Sequence, residues 1–144
     1  MRITSASAGD KTDDLRVFVA EDSRFIRVRI VTLLTGCVGV QCVGWAEGVN
    51  DAITGIRDTH PHGLILDLQL LDGSGLDVLH AARCNDPTLR VVVCTNWATD
   101  QHRAACRTAG AECVLDKSTE FTQLRNVVLR WADARDSSHP SFVH

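Results

Sequence analysis

No tyrosine occurs anywhere in this chain, so no tyrosine hydroxyl or rotamer can serve whatever it does. Long apolar runs are missing as well. None approaches the length of a membrane span, and Met1 to Asp14, rich in Ser, Thr, Ala and Asp, lacks the apolar stretch of a secretory signal. These absences lead us to expect a cytoplasmic protein that does not engage a membrane, with a flexible N-terminal tail over residues 1–14. Nor is there an excess of basic charge: a net charge of -3 argues against a dedicated nucleic-acid surface. The short cluster Arg24, Arg27 and Arg29 reads as a solvated helix face. The six cysteines include no C-x-x-C pair and several lie within apolar runs, which favours reduced, mostly buried thiols over a disulfide framework.

What is present suits one globular domain with a real core, since 144 residues at 44% hydrophobic leave no room for a second. Short apolar runs alternate with segments of helical period, the pattern of βα units and a parallel sheet. Strands are predicted over Leu15 to Ala20, Val38 to Trp45, a run ending at Leu66, Arg90 to Thr95, and Cys113 to Asp116. Helices are predicted over Ser23 to Thr35, Asn50 to Asp58, from the Gly73-Ser74-Gly75 loop to Asn85, Thr99 to Ala109, and Thr119 to Asp133. Ser23 is the expected N-cap of the first and Gly36 its stop. The fourth helix has a poor apolar face, mainly Ala105, Cys106 and Ala109, and should be the least firmly packed. His60 and His62 flank Pro61 ahead of a strand, an arrangement that fits a turn better than a metal pair.

Four of the apolar runs end in polar groups. Glu21-Asp22 follows the first, Asp67 the third, Thr95 closes the fourth and Lys117 follows the fifth. In an open parallel α/β sheet, sites are built at the C-terminal ends of the strands. Three carboxylates converging there need a divalent cation or a raised pKa to coexist, and all-oxygen ligation suits Mg²⁺. Each acid could instead cap the loop or helix that follows its strand.

In this order and spacing, Glu21-Asp22, Asp67, Thr95 and Lys117 resemble the receiver domain of two-component response regulators. The segment Asp67-Leu68-Gln69-Leu70-Leu71-Asp72-Gly73-Ser74-Gly75-Leu76 is similar to that family's phosphoacceptor loop, and Gly110-Ala111 with Asp116-Lys117-Ser118-Thr119-Glu120-Phe121 to its last strand and turn. The resemblance implies a receiver domain over residues 15–134 with a polar tail at 135–144. Its fold would be a doubly wound, five-stranded parallel sheet of order 2-1-3-4-5 in a flavodoxin-like three-layer α/β/α sandwich. It further implies that Asp67 accepts a phosphoryl group from a sensor histidine kinase or phosphotransfer protein. Asp22 would ligate Mg²⁺ directly, Glu21 through water, Asp67 by its carboxylate and Gln69 by its main-chain carbonyl. Thr95 and Lys117 would offset charge on the phosphoryl oxygens. The output would be an altered protein-protein contact with an unnamed downstream protein, with dimerisation left open, from a stand-alone signalling module that is not an enzyme beyond its own phosphorylation and dephosphorylation.

Departures from the family pattern carry expectations of their own. Leu71 stands where Pro is usual, which should loosen the loop after Asp67. Ser118 replaces the Pro that commonly follows the lysine, where a cis bond without Pro would cost roughly 3 to 4 kcal/mol. Val114 occupies the place of a common aromatic switch residue, which excludes a switch by aromatic rotamer there. Trp97, two residues past Thr95, is either an exposed loop aromatic or a cover for the phosphoryl group. Three alternatives compete: a pseudo-receiver that binds partners without phosphorylation, disfavoured because all five polar positions are filled, a receiver cut from a longer transcription regulator, and a haloacid-dehalogenase-like phosphohydrolase. The last wants an Asp two residues after the nucleophile, where this chain has Gln69.

Overall fold

The computed structural model describes residues 13–138, so most of the N-terminal tail and the end of the C-terminal tail lie outside the described residues. Five strands form one sheet: β1 (Leu15–Ala20), β2 (Val40–Ala46), β3 (Gly63–Leu66), β4 (Arg90–Thr95) and β5 (Cys113–Asp116). All neighbouring pairs are parallel and the order is β2-β1-β3-β4-β5, the doubly wound arrangement expected. Between them run α1 (Arg24–Thr35), α2 (Val49–Thr59), α3 (Gly75–Asn85) and α4 (Asp100–Thr108), and α5 (Leu124–Ser138) is the last element of the described residues, after a 3₁₀ turn at Phe121–Gln123.

Strands buried on both faces read as continuous apolar runs because side chains alternate between two cores. Phe18, Ala20, Leu64, Leu66, Val91 and Val93 face one core with Ile56 of α2, Val78 and Leu79 of α3 and Cys106 of α4. Val17, Val19, Ile65, Val92 and Cys94 face the other, with Ile30 and Leu34 of α1 and Leu124, Val128 and Trp131 of α5. Three layers result. Gly63 is required where it stands, because a Cβ there would lie 2.5 Å from the Trp131 ring. The indole is thus laid directly on the start of β3, and its N–H donates to Glu112 at 3.1 Å.

Several boundaries differ from the sequence reading for identifiable reasons. β2 starts at Val40 because Gly39 takes a left-handed φ of 80° and Val38 is 95% exposed. α5 continues to Ser138, past the end expected near Asp133, since no Gly or Pro interrupts the chain before Pro140. Ser23 caps α1 as expected, accepting from the Ile26 N–H at 3.3 Å. α4 buries only Cys106; Ala105 faces solvent rather than the core. Arg27 overturns the solvated-face reading of the arginine cluster: it is buried, whereas Arg24 and Arg29 are exposed.

The two histidines serve the turn before β3. His60 closes α2 in the left-handed region at φ 47°, and the Nδ1 of His62 accepts from the backbone N–H of Arg16 at 2.9 Å. Burial, reinforced by the Arg135 and Arg16 guanidiniums, pulls the His62 imidazole down to about 4. An unfolded histidine takes up its proton near 6.5, so between those values the unfolded chain holds more protons and acid favours it. Stability is therefore expected to be full above that range and to fall as pH drops through it. Because the ring is partly exposed, the loss should be on the order of 1 kcal/mol. Urea midpoints measured from neutral to mildly acidic pH should fall less steeply for His62→Gln than for the wild type. Parallel curves would remove His62 as the cause.

Candidate functional site

Parallel pairing aligns Ala20 with Leu66, so the residues that follow, Glu21 and Asp67, leave adjacent strands side by side. Glu21 is 1% and Asp67 4% exposed, and with Asp22, the least enclosed of the three, they bring carboxylate oxygens within 4.8 Å of one another. Two strands away, Thr95 pairs with Asp116, and the Lys117 N–H donates to the Thr95 carbonyl at 3.0 Å. That bond aims the lysine stem back across the sheet edge. The Lys117 Nζ lies 2.7 Å from Glu21 Oε1 and 2.7 Å from Asp67 Oδ2.

Electrostatics follow from this packing. Burial raises the Glu21 carboxyl to about 7 even though Lys117 and the Ser23 N–H, which donates to Glu21 Oε2 at 3.0 Å, both favour its charged form. For Lys117, burial works against the ammonium, but the bonds to Asp67 and Glu21 outweigh it and its pKa lies above the usual lysine range. The site holds an excess of acid around one cation. Three carboxylates and no nitrogen or sulfur donor among them match a hard divalent ion such as Mg²⁺, which leaves the fit of the donor set intact.

The loop after Asp67 is built to hold that carboxylate. The Gln69 N–H donates to Asp67 Oδ1 at 3.2 Å. At Gly75 a Cβ would come within 2.1 Å of the Asp67 carbonyl, so only glycine fits, and its N–H donates to Leu68 at 2.8 Å. The Leu71 N–H, which proline lacks, donates to the Glu47 carbonyl at 2.9 Å, and Asp72 accepts from the Val49 N–H at 2.5 Å, capping α2. A short antiparallel ladder of Gln69–Leu70 with Gly73–Ser74 completes it. At the other departure, the Lys117-Ser118 peptide is trans, and Asp116 Oδ1 accepts from the Ser118 N–H at 2.8 Å and its hydroxyl at 2.6 Å.

Sequence reasoning placed Glu21, Asp22, Asp67, Lys117, Thr95 and Gln69 at this edge, and the fold brings all six to it. Thr95 is fully buried and its hydroxyl accepts from the Trp97 N–H at 3.1 Å. Trp97 is 46% exposed, with its ring set edge-on to His102. Arg27 was missed. Its Nη1 donates to the Glu21 carbonyl at 3.2 Å and to Glu47 at 3.1 Å, and its guanidinium lies 3.9 Å from the Trp45 ring centre. Together Arg27 and Glu47 tie the loops after β1, β2 and β3 into one rigid rim.

Residues 17–129 match the response regulator receiver domain family, and the chain belongs to it. The DNA-binding transcriptional activator DevR/DosR of Mycobacterium tuberculosis is 26% identical over 114 residues, 79% of this chain and 52% of that protein. The signal receiver domain of the putative response regulator NarL from Mycobacterium tuberculosis superposes with a TM-score of 0.76 at 25% identity, covering 84% of this chain and 98% of that one. The response regulator domain of Thermotoga maritima CheB gives 0.75 at 19% identity over 88% and 99%, which speaks for the fold alone. This chain spans about half the length of the first two curated relatives, 52% in each case. Family membership sets the phosphohydrolase alternative aside and places the chain in two-component signal transduction. No helix among the described residues is long and apolar enough to cross a membrane.

Proposed function

We propose that this chain is a phosphorylation-switched signalling module that accepts a phosphoryl group on Asp67 from a phosphohistidine of a sensor kinase or phosphotransfer protein. The observation that supports it most is the Lys117 ammonium shared at 2.7 Å between Asp67 and Glu21 at the end of the sheet. An Asp67 oxygen attacks phosphorus in line. The new oxygen-phosphorus bond forms as the histidine nitrogen-phosphorus bond breaks, and the departing nitrogen keeps the electron pair. Lys117 holds Asp67 in place beforehand and then offsets charge on the phosphoryl oxygens, with the Thr95 hydroxyl donating its own proton to the same end. Glu21, Asp22, Asp67 and the Gln69 main-chain carbonyl would hold Mg²⁺, which supplies further neutralisation of those oxygens. The outcome is an altered protein-protein contact surface in the cytoplasm, read by a downstream protein. A second reading, a receiver joined to an output segment, is favoured by the greater length of the relatives.

Incubation with acetyl phosphate and Mg²⁺ tests the reading. One acid-stable, base-labile phosphoryl adduct per chain is expected by mass, and no adduct would overturn it.

The ligand assignment makes its own prediction. Both Glu21 oxygens are already bonded within the protein, to Lys117 and to the Ser23 N–H, which suits contact with the ion through water. Asp22→Ala should weaken Mg²⁺ binding on the order of a hundredfold and Glu21→Ala about tenfold. Equal losses in a calorimetric titration would contradict the assignment.

A further inference from the structure

Arg103 sits on α4, the helix with the least buried surface, yet it is the best connected side chain of that region. Its Nε donates to the Ala98 carbonyl at 3.1 Å, Nη1 to the Val114 carbonyl at 2.6 Å and Nη2 to Glu120 Oε1 at 3.0 Å. The same Glu120 oxygen accepts from the Asp116 N–H at 2.8 Å, one residue before Lys117. One guanidinium therefore joins the loop after Thr95, the middle of β5 and the turn that carries the lysine. Its three acceptors lie on separate segments, a geometry that a planar fork satisfies and an ammonium does not. Val114 itself is buried and offers no side chain that could swing.

We propose that Arg103 is a latch that holds the β4–α4 loop in its unphosphorylated position and releases Ala98 when Asp67 is phosphorylated. This rests on the function proposed above and names how that site is regulated. The Thr95 hydroxyl accepts from the Trp97 N–H at 3.1 Å and keeps its own proton to donate, so as it is drawn towards a phosphoryl group it pulls the following loop with it. The loop that follows can then move only if the Ala98 carbonyl parts from Arg103. The bond to Val114 and the Glu120 ion pair anchor the guanidinium to β5 while this happens, so α4 and the loop shift relative to a fixed post. Two arrangements of one loop, biased by one charge change, make a switch that needs no aromatic rotamer.

The test uses the full chain and the variants Arg103→Met, Arg103→Lys and Glu120→Gln, with Asp67→Asn as control. Two signals are read: the rate of labelling by acetyl phosphate with Mg²⁺, and the change in Trp97 emission on adding beryllofluoride and Mg²⁺, corrected with Trp97→Phe in each background. Arg103→Met, which keeps the aliphatic stem, should label about tenfold faster because the released loop no longer has to be freed. Its emission change should shrink, the unphosphorylated loop being already displaced. Arg103→Lys should resemble Arg103→Met, and Glu120→Gln should shift both signals less and in the same direction. Unchanged or slower labelling in a folded Arg103→Met would make Arg103 a static brace and overturn the latch. Should that variant not fold, unchanged signals in Glu120→Gln overturn it equally. Absence of any Asp67-dependent label in the wild type would overturn the underlying function, an outcome distinct from labelling that proceeds but ignores Arg103.

Discussion

Asp67→Asn is expected to abolish labelling by phosphodonors, lowering its rate by at least about a thousandfold. The amide is neither anionic nor nucleophilic. It also cannot serve the two neighbours that the carboxylate serves, since Oδ1 accepts from the Gln69 N–H at 3.2 Å and Oδ2 from Lys117 at 2.7 Å. One amide oxygen can take only one of these roles, and the NH₂ group turned towards Lys117 sets donor against donor. The fold should survive, because Lys117 keeps Glu21 at 2.7 Å and the Gly75 approach to the loop is unaffected. Loss of label with retained melting behaviour therefore isolates the chemistry. Stoichiometric labelling of the variant, read by mass, would move the acceptor to another residue.

The sheet and most of the site were legible because both depend on short-range signals. Apolar runs such as Val91 to Cys94 are continuous since a parallel strand is buried on both faces, and each polar group that ends such a run emerges at the same edge. Helix ends set by Ser23 and Gly36 were equally local. Arg27 was not legible. Its sequence neighbours Arg24 and Arg29 are exposed, and what buries it comes from Trp45 at the end of β2 and Glu47 just after it. Nothing in the spacing of three arginines distinguishes a snorkelling side chain from one paired beneath its helix. The bonding of the loop after Asp67 was not legible either. A missing proline suggested looseness, whereas the freed N–H of Leu71 found the Glu47 carbonyl, a partner on another loop. Ser118 behaves alike, replacing a proline by a side chain and an N–H that both bond Asp116. The end of α5 was misplaced because polar residues were read as a tail, although polarity does not stop a helix that lacks Gly or Pro.

Lys117→Met should separate two duties that one ammonium performs. In the metal-free protein it is the shared counterion of two buried carboxylates, whose side chains are 2% and 5% exposed, and its own side chain is 7% exposed. Removing one charge from a buried cluster leaves the others unpaired, at a cost of roughly 3 kcal/mol. That corresponds to a fall in melting temperature of about 10 °C for a domain of this size. Part of the loss is relieved by protonation, and Glu21, already raised to about 7 by burial, is the group that would take the proton. Mg²⁺ should restore the variant more than it raises the wild type, because in the wild type the ion competes with an ammonium for Glu21 and Asp67, whereas in the variant it meets two uncompensated acids. Metal affinity should thus hold or increase. Labelling by acetyl phosphate should nevertheless fall on the order of a hundredfold, since the donor that offsets charge on the phosphoryl oxygens is gone. Thermal melts with and without Mg²⁺, set beside labelling rates, separate these effects. A variant that melts like the wild type without Mg²⁺ and labels at the same rate would remove Lys117 from both roles.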